Sequence, residues 1–162
     1  MKKKEERNKC IVLGAGISGI ASTKLLIKHK IDVILYDDNK NIDPEKIKND
    51  IYGKVHLTIK IGDLSSDDLE GVKLTVISPG FPKVNPAYQL ILNKKIPIIS
   101  ELELGYIYGK GDVCAITGSN GKTTTTELIG QMLKKKYSSL VEVVGNIGTS
   151  YCTHIPFTIY IS

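Results

Sequence analysis

Short apolar runs alternate with mixed apolar and polar stretches along the first hundred residues of the chain. Five of these runs have the length and the β-branched content of strands: KCIVLG, DVILYDD, VHLTIKI, VKLTVIS and IPIIS. Residues 18–28 and 86–95 carry apolar side chains at the spacing of helices that lie on a sheet. Strand, helix and strand in succession form a βαβ unit, which requires parallel strands. The pattern therefore predicts an α/β domain with a parallel sheet.

The same alternation restarts after the linker YGKGD, Tyr108–Asp112. DVCAIT, LVEVVGN and FTIYIS predict three strands, and residues 122–135 predict a helix. A parallel sheet has both faces covered by helices, and three strand candidates are too few for a complete domain of this type. We therefore expect a first domain over residues 1–107 and an incomplete second domain over residues 108–162. On this interpretation the chain is the front part of a longer protein.

The first glycine-rich loop follows the first predicted strand and opens a helix. Gly14, Gly16 and Gly19 fit the pattern G-x-G-x-x-G, and Asp37 lies at the end of the next strand. Glycines at these positions allow a tight turn, the approach of a pyrophosphate and close packing of helix on strand. We expect Asp37 to accept hydrogen bonds from a ribose or a base. The loop predicts a Rossmann-like domain, and taken alone it leaves NAD, FAD and a nucleotide-diphosphate sugar as possible ligands.

The second glycine-rich loop, TGSNGKTTTT, differs from the usual P-loop G-x-x-x-x-G-K-[ST] because Ile116 stands where the first glycine is expected. Lys122 follows a glycine at a strand-to-helix turn and can reach nucleotide phosphates, and the hydroxyl of Thr123 is placed to ligate Mg²⁺. The alternative that involves no ligand is that Ser119 or Asn120 caps the helix. The run of threonines favours phosphate binding in a P-loop α/β domain.

Composition adds limits to this interpretation. The net charge of +5 suits phosphorylated ligands, and the sequence has no basic stripe with interleaved aromatic residues, so we expect no nucleic-acid partner. No apolar run approaches the ~18–20 residues that span a bilayer, so we expect no membrane insertion. Cys10 and Cys114 lie in apolar runs and are predicted to be buried, reduced thiols. Such cysteine usage favours the cytoplasm.

The two loops, in this order, resemble those of the Mur ligases, ATP-dependent enzymes that form the amide bonds of bacterial cell-wall (peptidoglycan) precursors. The resemblance spans nearly the whole chain and rests on VLGAGISGIA, VISPGFP, IPIISELELGY, AITGSNGKTTTTELIG and VGNIG. These segments are most similar to the members that add D-glutamate to UDP-N-acetylmuramoyl-L-alanine.

The resemblance implies that the first domain binds the UDP end of UDP-N-acetylmuramoyl-L-alanine through Ile17, Ser18, Asp37 and Gly80. It also implies that Asn146, in GNIG, contacts this substrate nearer the reaction centre. The sequence departs from the family at position 38, which is a second acid, and the role of Asp38 is left open.

In the second domain the resemblance implies an ATP site with a bound Mg²⁺. Lys122 is the expected catalytic residue, because its charge neutralises the transferred phosphoryl group, and Thr123 is the expected metal ligand. The implied ATP-binding residues are Gly118, Ser119, Asn120, Gly121, Lys122, Thr123 and Thr124.

The implied reaction transfers a phosphoryl group from ATP to the substrate carboxylate, and the amine of D-glutamate then attacks the acyl phosphate. In this family a glutamate, a histidine and a modified lysine manage a second metal, and a carboxy-terminal domain binds the amino acid. None of these is in the sequence, so we expect the chain to be inactive alone. The full-length protein is expected to be a monomer.

Two other functions stay open at this point. The chain resembles, less closely, other amino-acid-adding Mur ligases and the folylpolyglutamate synthases, which share the short second loop. A dinucleotide-binding dehydrogenase or regulatory domain would use the first loop, but it would leave the second loop unexplained.

Overall fold

The computed structural model describes residues 8–51, 54–109, 111–144 and 150–153. The chain forms two compact units, and the division falls between Glu101 and Leu102. The predicted domain boundary between residues 107 and 108 stays a prediction.

The first unit contains one parallel sheet of five strands in the order β3-β2-β1-β4-β5. The central strand β1 and its neighbour β2 are buried along almost their whole length, as continuous apolar runs require when both faces of a sheet are covered. The predicted α/β class with a parallel sheet is confirmed. The strands are β1 Lys9–Leu13, β2 Asp32–Asp37, β3 Leu57–Ile61, β4 Val72–Ile77 and β5 Ile98–Ser100.

Helices cover both faces of this sheet. Ile11 and Leu13 of β1 lie in a core cluster with Ala87 and Ile91 of α3, Pro86–Asn93. Side chains alternate between the faces of a strand, so Cys10 and Val12 point the other way. Both are buried, and helix α1, Ile17–Lys28, contacts β1, β2 and β4. The core of the unit is therefore a layer of apolar side chains on each side of the sheet.

Helix α2, Pro44–Asp50, is an element that the sequence analysis did not assign. The Asp43 carboxylate accepts a hydrogen bond from the Glu45 N–H at 2.9 Å, and Pro44 occupies the first helical position. An aspartate followed by a proline is a known start signal for a helix. That signal was present and would have identified α2.

The second unit holds most of α4, Glu101–Tyr108, and all of α5, Lys122–Tyr137. Short 3₁₀ turns follow at Ser138–Leu140 and Tyr151–Thr153. No strand occurs among the described residues of this unit, so the strands predicted from DVCAIT and LVEVVGN are wrong over residues 112–117 and 140–144. An extended segment becomes a strand only when a neighbour supplies its hydrogen bonds. The predicted strand FTIYIS lies outside the described residues.

Helices long and apolar enough to cross a membrane are absent from the described parts of the chain.

Candidate functional site

The carboxyl ends of β1 and β4 lie side by side in the centre of the sheet. From β1 the chain passes through α1 to β2 on one side, whereas β4 and β5 lie on the other side. Open α/β sheets bind ligands at such a switch point, in the crevice outside the carboxyl ends of the strands. The glycine loop after β1 and the loop of residues 78–85 after β4 meet at this point.

Two of the three glycines in the first loop are required by its geometry. Gly14 has a φ of +96° and its N–H donates to the Tyr36 carbonyl at 2.8 Å, which ties the turn to β2. A Cβ on Gly19 would lie 1.7 Å from the Gly14 carbonyl oxygen. The predicted tight turn and close helix packing are therefore confirmed. A Cβ on Gly16 would meet nothing within 4 Å, which leaves open space beside the loop.

The start of α1 offers backbone N–H groups to a ligand. Gly16 is the N-cap residue, and no side chain caps the helix. The first helical hydrogen bond runs from the Ile20 N–H to the Gly16 carbonyl at 2.9 Å. The N–H groups of Ile17, Ser18 and Gly19 come before this bond and therefore have no acceptor within the helix. We call such groups the leading N–H groups of a helix. The Ile17 side chain is 80% exposed beside them. Leading N–H groups and the positive end of the helix dipole suit a phosphate group.

Asp37 joins the first loop to the end of β2 by a hydrogen bond. Its Oδ2 accepts a hydrogen bond from the Ala15 N–H at 2.7 Å, and its Oδ1 accepts one from the Asn39 N–H at 3.0 Å. The sequence predicted a contact with the ligand and missed this second role, because no short-range signal pairs residues 15 and 37. Each carboxylate oxygen has a further lone pair for a ligand hydroxyl.

The loop of residues 78–85 is joined to the first loop. The Ser78 N–H donates to the Leu13 carbonyl at 3.0 Å, and its hydroxyl donates to the Gly14 carbonyl at 3.4 Å. The rings of Phe81 and Tyr36 form a T-shaped pair, with ring centroids 6.2 Å apart. Gly80 is exposed, and a Cβ there would meet nothing within 4 Å, so a ligand has room beside it.

The end of β2 carries negative charge. Burial raises the pKa of Tyr36 to about 12, and the carboxylates of Asp38, Asp63 and Asp37 add to that rise. Negative charges disfavour a phosphate at this end and favour a neutral group that donates hydrogen bonds. The phosphates of a nucleotide therefore fit the start of α1, and its sugar or base fits the end of β2.

The second loop opens α5 in the same way that the first opens α1. Gly121 is the N-cap residue with a φ of +75°, and no side chain caps the helix. The alternative that Ser119 or Asn120 acts as the cap is therefore wrong. The first helical hydrogen bond runs from the Thr125 N–H to the Gly121 carbonyl at 3.0 Å. The leading N–H groups belong to three residues that the sequence singled out, Lys122, Thr123 and Thr124.

The Lys122 side chain folds back over its own loop, and its Nζ donates to the Gly118 carbonyl. Residues 117–125 are all exposed, which includes the hydroxyl-bearing Thr123 and Thr124. A positive charge, leading N–H groups and hydroxyls thus lie together on the surface of this unit. This set of groups fits the phosphates of a nucleotide and an accompanying hard cation.

The remaining candidates divide into three cases. Asn146 lies outside the described residues. Cys10 is buried as predicted, and burial raises the pKa of its thiol to about 11. Cys114 is only half-buried, so its predicted burial is wrong, because the segment that carries it joins no sheet. The described residues contain no group of three or more His, Cys, Asp and Glu side chains arranged to hold a metal ion.

A parallel α/β unit with a glycine loop at its switch point, followed by a second helix-opening glycine loop, is typical of nucleotide-binding proteins. Residues 8–100 match the family described as Mur ligase MurD-like, N-terminal domain, and residues 116–160 match the Mur ligase middle domain. The chain therefore belongs to the Mur ligase family.

Similar proteins carry the name UDP-N-acetylmuramoylalanine–D-glutamate ligase. The one from Lachnospira eligens is 45% identical over 146 residues, which are 90% of this chain and 32% of that protein. The one from Thermoanaerobacter pseudethanolicus is 41% identical over 140 residues, 86% of this chain and 30% of that protein. The chain thus spans about a third of the length of the curated relatives it matches.

Solved structures agree on the fold. A pseudomurein peptide ligase type C from Methanothermus fervidus is similar with a TM-score of 0.53 and 22% identity, over 96% of this chain and 32% of that one. A UDP-N-acetylmuramate-alanine ligase from Thermotoga maritima has a TM-score of 0.50 and 21% identity, over 94% of this chain and 36% of that one.

Proposed function

We propose that this chain is part of an ATP-dependent ligase that adds D-glutamate to UDP-N-acetylmuramoyl-L-alanine. The observation that carries the proposal is the presence of two glycine loops, each of which opens a helix that has a glycine N-cap, no side-chain cap and three leading N–H groups. Two such helix starts suit two phosphorylated ligands. The names of the relatives supply the identity of the reaction.

The first site binds the UDP portion of the substrate in this proposal. Backbone N–H groups of Ile17 and Ser18 bind the diphosphate, which approaches across the open space beside Gly16. Asp37 accepts hydrogen bonds from the ribose or the uracil, and the exposed Gly80 borders the same group. Asn146 contacts the substrate nearer the reacting carboxylate.

The second site binds ATP with Mg²⁺. Backbone N–H groups from Gly118 to Thr124 surround the phosphates, and the Thr123 hydroxyl is the metal ligand. The absence of a side-chain cap on α5 supports this assignment, because a capped helix start would have its leading N–H groups occupied.

The reaction begins when the substrate carboxylate attacks the γ-phosphorus of ATP and ADP leaves. The amine of D-glutamate then attacks the acyl carbon and displaces phosphate, which forms the amide bond. Lys122 neutralises charge on the transferred group, a contribution typical of enzymes in which positioning and charge stabilisation dominate catalysis. A cytoplasmic location and a monomeric full-length protein stay predictions.

Calorimetric titration of the chain with two ligands tests the first site. We expect UDP-N-acetylmuramoyl-L-alanine to bind and NADH to give no heat of binding above dilution. Binding of NADH without binding of the UDP-sugar would replace the proposed ligase by a dinucleotide-binding protein.

A further inference from the structure

A hydrogen bond joins the ends of two elements that are far apart in sequence. The Asn85 side-chain amide donates from Nδ2 to Oδ2 of Asp38 at 2.6 Å. Asp38 directly follows β2, and Asn85 directly precedes α3. This bond to a charged acceptor is of the stronger kind found in proteins. It gives Asp38, whose role the sequence left open, a definite partner.

Asn85 uses both ends of its side-chain amide. It is 6% exposed, and its Oδ1 accepts a hydrogen bond from the Ala87 N–H at 2.8 Å, which caps α3. Its own N–H donates to the Pro82 carbonyl at 3.1 Å. The residue therefore fixes the start of α3 and the last turn of the preceding loop at the same time.

The loop of residues 78–85 is consequently held at both ends. Ser78 bonds to Leu13 and Gly14 at its start, and Asn85 bonds to Asp38 at its finish. Gly80 lies between these anchors with open space beside it. Gly80 therefore belongs to a loop that hydrogen bonds hold at its start and at its finish.

We propose that Asp38 and Asn85 form a clasp, a positioning pair that holds the loop of residues 78–85 where it borders the UDP group. This inference rests on the proposed function of the first site. Asp38 acts through Asn85 and the loop, without contacting the nucleotide itself.

Four variants separate the clasp from the helix cap. Asn85→Asp keeps a good N-cap but places a carboxylate against Asp38, and Asn85→Ser keeps a cap without repulsion. The exchanged pair Asp38→Asn with Asn85→Asp restores the bond with donor and acceptor reversed. Asp38→Asn alone leaves an amide oxygen that still accepts the bond. Circular dichroism spectra and thermal unfolding check that each variant folds.

Two measurements report on the clasp. Calorimetry gives the affinity for UDP, and amide hydrogen exchange in residues 78–85 shows how firmly the loop is held. We expect Asn85→Asp and Asn85→Ser to weaken UDP binding about tenfold, the loss typical of one hydrogen bond to a charged group, and to speed exchange in the loop. The exchanged pair and Asp38→Asn are expected to stay within about threefold of the unmodified chain in affinity, with slow exchange.

Two results would overturn the clasp. A loss of UDP binding in Asp38→Asn as large as in Asn85→Asp, not restored by the exchanged pair, would make Asp38 a direct ligand contact. Unchanged loop exchange in Asn85→Ser would show that the bond does not hold the loop. If the unmodified chain fails to bind UDP, the proposed function of the site fails, and hydrogen exchange still decides whether the pair holds the loop.

Discussion

The first glycine loop is bonded to two neighbouring segments, β2 and the loop of residues 78–85, whereas the described contacts of the second are made within its own turn and helix. Gly14 donates to β2, Ala15 donates to Asp37, and Ser78 donates back to the Gly14 carbonyl. In the second loop Lys122 bonds to the Gly118 carbonyl four residues earlier, and residues 117–125 are all exposed.

The same local motif is therefore stabilised by different contacts in the two units. In the first unit the sheet positions the loop before any ligand arrives, so substitutions there affect folding as well as binding. In the second unit the described hydrogen bonds that shape the loop lie within the turn and its helix. Ligand affinity is expected to respond to substitutions in that loop far more than folding stability does.

The largest expected effect is that of Gly19→Ala. Its Cβ would lie 1.7 Å from the Gly14 carbonyl oxygen, a backbone atom that cannot move without displacing the whole loop. We expect the free energy of unfolding to fall by about 3 kcal/mol, measured by urea denaturation. Gly16→Ala is the matched control, because its Cβ meets open space and should change stability by less than about 1 kcal/mol. Equal effects from the two substitutions would mean that α1 does not pack closely on the loop.

Alkaline pH is expected to destabilise the first unit through Tyr36. The pKa of Tyr36 is raised to about 12 in the folded chain and is near 10 in the unfolded chain. The stabilisation is therefore complete below pH 10 and is lost as the pH rises towards 12, by about 2 kcal/mol. Urea denaturation of Tyr36→Phe and of the unmodified chain between pH 9 and 12 isolates the contribution of Tyr36 to the free energy of unfolding. Parallel stability curves for the two would show that the phenol titrates normally.

A smaller effect is expected at the second loop for Gly121→Ala. Its φ of +75° is unfavourable for an L-residue but its Cβ would meet no atom within 4 Å, so backbone strain of about 1 kcal/mol is the whole cost. Thermal unfolding followed by the helical circular dichroism signal measures it. Lys134→Ala, an exposed position in the same helix, serves as the control at less than about 0.5 kcal/mol. A loss near 3 kcal/mol would indicate tertiary contacts that hold this loop as firmly as the first.

The sheet of the first unit was predictable from sequence because continuous apolar runs such as those at 9–13 and 32–37 are buried on both faces. The ends of α1 and α3 followed from apolar spacing to within two residues. Helix α2 was missed although Asp43 and Pro44 signal its start. In the second unit the apolar run around Cys114 suggested a strand, but apolar content alone does not supply the hydrogen-bonding neighbours that a strand needs.

The candidate site was predictable at the level of local motifs. The leading N–H groups at residues 17–19 and 122–124 follow directly from the glycine patterns. The bonds from Ala15 to Asp37 and from Asn85 to Asp38 join residues 22 and 47 positions apart, and only the folded sheet brings these residues together. Sequence patterns therefore predicted the candidate binding groups, and the structure showed which hydrogen bonds hold them in place.

Paired titrations of two variants with UDP and Mg-ATP decide whether the chain has two separate phosphate-binding sites. Gly16→Val fills the open space beside the first loop, and Lys122→Ala removes the charge beside the second. We predict that Gly16→Val loses UDP binding and keeps Mg-ATP binding, while Lys122→Ala does the reverse. Loss of both ligands in either folded variant, or of neither in both, would show that the two loops are not separate phosphate-binding sites.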